Sequence, residues 1–133
     1  MLKRIPAATA FLALCALPLT AQQPQQPHQQ KPAAAPGTDM SLTGQVIDMN
    51  CYTTMGASGP THQACAKACA KAGVALAILG SDGTIYLPVS SKPADPQNAR
   101  LEPFAEGKVK VTGTQRSSNG VHTIEIRTIE AAT

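Results

Sequence analysis

Three cysteines and a histidine lie between positions 51 and 69 of a 133-residue chain, and they constrain its fold more than any other feature. The local text is D-M-N-C at 48–51 and H-Q-A-C-A-K-A-C at 62–69. The spacing and the alanines predict a helix over roughly 60–72, with Ser58 or Thr61 as its cap, Pro60 in its first turn and Gly73 as its stop. On a wheel of about 100° per residue, with His62 at the origin, Cys65 falls near 300° and Cys69 near 340°. Lys67 and Lys71 fall on the opposite side, so the thiols and the imidazole are expected to face the body of the domain. Cys51, at the end of the preceding strand, is placed to meet them.

Whether these cysteines oxidise depends on where the chain resides. Met1–Arg4 is positive, Ile5–Leu19 is apolar, and Ala21 offers a small residue for cleavage. That is the layout of a secretory signal peptide over residues 1–21. The apolar run is shorter than the roughly 20 residues a membrane span needs. Cys15 follows Leu14, where a lipoprotein signal requires a small residue. Export would make the mature chain periplasmic or secreted, in a compartment where disulfides persist. No second apolar run is long enough for a span, so none is expected in the mature chain.

Residues 22–40 read as a Gln/Pro/Ala-rich disordered linker. Six Gln and four Pro within 22–37 leave nothing with which to build a core, and His28 there reads as inert. The folded domain is expected over 41–130. Strands are predicted at 41–49, 74–79, 84–89, 108–114 and 121–129, with a loop at 50–59 and a helical turn near 98–105. Asn119-Gly120 signals a hairpin between the last two strands. Gly44 inside the first strand signals a bulge or a close backbone approach. This order predicts a mainly β domain with one inserted helix (α+β), a small five-stranded OB-like antiparallel barrel.

Composition weighs against one class of function. Aromatic residues make up 3% of the chain, and there is no Trp. Without Lys3 and Arg4, nine of the eleven Lys and Arg remain against eight acidic residues. A surface this neutral, with so few rings to stack bases, argues against a nucleic-acid partner and leaves a ligand-binding OB-type barrel for an oligosaccharide or nucleic acid as the weakest of three expectations. An envelope protein partner stays open. Catalytic signatures are absent too: the chain has no C-x-x-C, G-x-S-x-G, H-E-x-x-H or phosphate loop. Ala70 follows Cys69 where haem attachment requires His. The expectation is a non-enzymatic module.

Three readings of the cysteines compete, and the third, redox or catalytic thiol chemistry, lacks a C-x-x-C to support it. In the first, Cys51, Cys65, Cys69 and His62 hold a metal, with a structural zinc site as the common use of three Cys and one His. His62 and Cys69 lie about 10 Å apart along an ideal helix, which makes the three thiols firmer ligands than the imidazole. Asp48 could orient a ligand. Met40, Met49 and Met55 could offer soft sulfur to copper, although ordinary packing is the stronger reading of them. His122 reads as a barrel-rim residue. In the second, Cys51 pairs with Cys65 or Cys69 in a disulfide and one thiol is left over, giving a stapled interaction or accessory subunit. Cys65 and Cys69, one turn apart, are too far apart to pair without distorting the helix.

The mature domain resembles a group of small exported bacterial domains with an OB-like barrel. Their pattern is G-x-V-x-D-x-x-C, then H-x-x-C-x-x-x-C and a Gly, a D-G-x-x-Y hairpin and a late G-K-x-V-x-V-x-G. The matching pieces are Gly44–Cys51, His62, Cys65, Cys69 and Gly73, Asp82–Tyr86, and Gly107–Gly113. The last is one residue shorter between Lys108 and the following Val. The resemblance covers about 41–130 and implies a Cys/His site on Cys51, His62, Cys65 and Cys69. It brings no activity with it.

Overall fold

A computed structural model describes residues 35–133. The signal-peptide reading and most of the linker, with Cys15 and His28, lie outside them. Five strands carry the domain: β1 (Thr38–Asp48), β2 (Leu76–Gly80), β3 (Ile85–Pro88), β4 (Lys108–Ser118) and β5 (Val121–Ala131). They close into a barrel in the order β1-β2-β3-β5-β4. The small α+β barrel expected from the sequence is therefore present. β1 begins at Thr38, so the linker gives way to strand three residues sooner than composition suggests. One pair departs from the antiparallel expectation: β3 runs parallel to β5, with Tyr86 beside His122. The 19 residues between β3 and β4 carry the chain across the barrel end, which lets β5 return alongside β3 in the same direction.

Alternation along the strands fills the interior. Leu42 and Val46 of β1, Leu76 and Ile78 of β2, Val109 and Val111 of β4, and Ile124 and Ile126 of β5 form one cluster with Tyr86. Gly44 stands between Leu42 and Val46 on that inward face and pairs with Gly80 on one side and Val109 on the other. A Cβ at Gly44 would run into the Leu79 carbonyl oxygen and lie 2.9 Å from the Ile78 Cγ2. The close approach anticipated at this glycine is what allows β1 and β2 to meet.

Two inserted helices, not one, separate β1 from β2. α1 (Met49–Met55) occupies what the sequence reads as a loop. Asp48 caps it, accepting the Cys51 N–H at 3.0 Å, and Gly56, at φ 65°, ends it. α2 (Gln63–Lys71) follows a 3-10 turn at Pro60–His62. Gly73 and Val74 close α2 by donating to the Ala70 and Cys69 carbonyls, the Schellman arrangement. Ala66 and Ala70 are the buried residues of α2, and Ala70 joins the barrel core. Ile47 and Ala77 pair across β1 and β2, point outward and are also fully buried, where both helices contact β1.

A third helix, α3 (Asn98–Leu101), runs into a 3-10 turn at Glu102–Phe104, matching the helical turn expected there. Its Leu101 plugs the core. Asn98 donates to the Ala70 and Val74 carbonyls and accepts the Leu76 N–H at 3.1 Å, which binds the end of α2 to the start of β2.

Replacing Gly44 by alanine is expected to force β1 away from β2. The destabilisation should be on the order of 1–3 kcal/mol, as for an overpacked core, read as a fall in the denaturant midpoint at unchanged slope.

Candidate metal centre

The site is assembled at the point where β1 ends. Cys51 lies in the first turn of α1 and is buried; Cys65 and Cys69 come from successive turns of α2, Cys65 exposed and Cys69 half-buried. Their Sγ atoms all lie within 4.8 Å of one another. All three are free thiols, so the Cys51–Cys65 or Cys51–Cys69 disulfide is not formed. The thiols do not face the body of the domain as their helical spacing predicts. The buried stripe of α2 is Ala66 and Ala70, so the neighbouring cysteines sit at its margin and face Cys51 rather than the barrel interior. Placing the small alanines against the barrel brings α2 close enough for its cysteines to reach α1.

Asp48 supports this cluster. It is fully buried; Oδ1 caps α1, while Oδ2 makes no hydrogen bond of good geometry. Burial pushes its carboxyl upward, but the Cys51 N–H, the Cys69 thiol, the Asn50 N–H and the Cys51 thiol together outweigh burial and hold it below the ordinary Asp value. The same proximity acts in reverse on the thiols. Facing the Asp48 carboxylate, and partly desolvated beside Cys65, the Cys69 thiol is pushed up to about 12. Cys51 is raised chiefly by burial, then by the charge of Asp48. At neutral pH these two groups are therefore thiols, and a cation that binds them must displace their protons.

His62 stands outside the group of three. Its Nδ1 lies 3.0 Å from Oε1 of Glu106, and its Nε2 is buried without a hydrogen-bond partner. Glu106, which the sequence does not single out, is the other buried acid of the domain. Oε1 also accepts the Asp48 N–H at 3.4 Å, and Oε2 accepts the Gly59 N–H at 2.7 Å and the Gln45 side-chain amide at 3.2 Å. Its backbone sits at φ 62°, a left-handed conformation that costs a residue with a Cβ. The Glu106 N–H bonds the Val46 carbonyl at 2.9 Å, and the Val46 N–H bonds Gly107 at 3.0 Å, so β1 itself holds the turn in place. The only sequence sign of this role is an acid next to Gly107-Lys108 at the start of a strand.

The other candidates lie apart. His122, on β5, packs edge-on against Tyr86 with ring centroids 5.9 Å apart. Met40 packs on the core, and Met55 is 69% exposed. Neither His122 nor these methionines belong to the cluster. No family model, curated protein or solved structure matches this chain.

The position of Cys69 gives the metal-free protein a pH signature. Its folded value near 12 exceeds that of an unfolded thiol, so the native state holds the proton more tightly. The resulting stability is complete below the ordinary thiol value near 8.5 and is lost as pH rises from there towards 12. Under reducing conditions, urea unfolding followed from pH 8 to 11 should show stability falling with pH. Cys69→Ala should flatten that slope.

Proposed function

We propose that the protein is an exported, non-enzymatic module in which Cys51, Cys65, Cys69 and His62 hold one metal ion that ties α1 and α2 together on the barrel. The observation that carries this reading is the convergence of three free thiols within 4.8 Å. In a tetrahedral zinc site with Zn–S bonds near 2.3 Å, sulfurs lie about 3.8 Å apart. Reaching that spacing takes a shift of about 1 Å, which side-chain rotation supplies. Zinc suits a thiolate and imidazole set; copper(I), which thiolates alone satisfy, is the competing ion. The ion would link two short helices that otherwise meet through few apolar contacts, as structural metals do in small domains. Among the described residues no helix is long and apolar enough to cross a membrane.

Native mass spectrometry of the chain purified after removal of residues 1–21, and with them Cys15, tests the reading. One metal ion per chain is expected, with three thiols titratable after denaturation in chelator. Free zinc at about 100 times its Kd should raise Tm by about 10–20 °C. Affinity should rise with pH, because binding releases the thiol protons. Cys65→Ser should weaken binding and reduce the Tm gain together. An unchanged Tm on chelation, or a two-hydrogen mass deficit with one remaining thiol, would overturn the proposal in favour of a disulfide-stapled interaction module.

A further inference from the structure

We infer that Glu106 fixes the proton of His62 on Nδ1 and so presents Nε2 as the nitrogen that completes a three-sulfur, one-nitrogen tetrahedron for a divalent ion of the zinc type. The inference rests on the metal reading above and adds to it a positioning residue and a class of ion.

The argument starts from the carboxylate. Glu106 has a fully buried side chain, and its other partners, the N–H groups of Asp48 and Gly59 and the amide of Gln45, are all donors. Surrounded in this way it acts as an acceptor, so the nitrogen facing it at 3.0 Å carries a hydrogen. The lone pair of a neutral His62 is then on Nε2. That atom is buried and has no partner. Buried polar atoms of this kind are ordinarily satisfied, and one left open points to a missing ligand. The two other buried side-chain atoms without partners have evident neighbours. The Asp48 carboxylate lies beside the Cys69 and Cys51 thiols, and His122 packs against Tyr86.

Two features connect the ring to the cluster. His62 opens the helical segment that carries Cys65 and Cys69 one and two turns later. The Glu106 oxygen that holds the ring also holds the backbone of Asp48, whose carboxylate touches the thiols. His62 is not among the groups whose ligand atoms all lie within 4.8 Å of one another, so ligation requires the start of α2 to move towards the sulfurs with the Glu106 hydrogen bond kept. A carboxylate behind a ligating imidazole is the usual support for such a nitrogen. A fourth, nitrogen donor also favours a tetrahedral divalent ion over copper(I).

Nuclear magnetic resonance of the full chain with 15N-labelled histidine, loaded with 113Cd(II), tests this. In the metal-free protein His62 should show a protonated Nδ1 and a bare Nε2. Cadmium should then couple to Nε2. Glu106→Gln should still bind cadmium, about 10–100-fold more weakly, and should show both His62 tautomers when metal-free. Should that variant not fold, the coupling in the unaltered protein decides. Cadmium held by the thiols with no coupling to His62, or with coupling at Nδ1, overturns the inference and reduces the metal reading to a three-thiol site on Cys51, Cys65 and Cys69. No cadmium binding at all overturns both.

Discussion

The cysteine site depends on one buried carboxylate. Glu106 receives N–H groups from the end of β1, from the loop before α2 and from a β1 side chain, and lies 3.0 Å from His62 Nδ1. Left without these donors, a buried carboxylate would carry a large desolvation cost. With them it becomes a rigid junction between the barrel wall and a helical insertion that has little apolar surface of its own. The left-handed backbone at Glu106 is held by Val46 of β1, which accepts the Glu106 N–H and donates to the Gly107 carbonyl, so the barrel supplies the constraint that keeps the junction in place.

Asp48 is the second part of the same device. Its backbone is anchored on Glu106, and one carboxylate oxygen starts α1. This places a negative charge beside the Cys51 and Cys69 sulfurs. The charge disfavours thiolates while the cluster is metal-free, which accounts for the raised Cys69 and Cys51 values. A bound cation reverses the balance by supplying the positive charge that Asp48 and the thiolates lack. The arrangement is thus poorly suited to a free nucleophilic thiolate, which needs a depressed value, and well suited to a cation.

The burial pattern of α2 explains how two short helices bring three sulfurs together. Alanines at 66 and 70 let the helix axis approach the barrel, and the cysteines beside them are carried to the seam with α1. Larger residues at the alanines would lift α2 away and separate Cys65 and Cys69 from Cys51. Gly44 plays the matching part between the strands, where only a residue without a Cβ leaves room for the Leu79 carbonyl.

The strands, the Asn119-Gly120 hairpin, the glycine contact in β1 and the three cysteines were legible from sequence alone. Each follows from a local rule: alternation, turn chemistry, side-chain volume or ligand spacing. α1 was not, because Met49–Met55 contains two threonines and no strong helical pattern; its formation rests on the Asp48 cap and the Gly56 stop acting in a tertiary setting. The parallel β3–β5 pair and the role of Glu106 were also out of reach. Both join segments far apart in the chain, and a carboxylate reads as a surface residue until the fold buries it. The sequence by itself determined which side chains could bind a cation. The tertiary structure decided that three of them meet, and that His62 is held by Glu106 rather than by the thiols, because only chain closure sets distances between residues of separate elements.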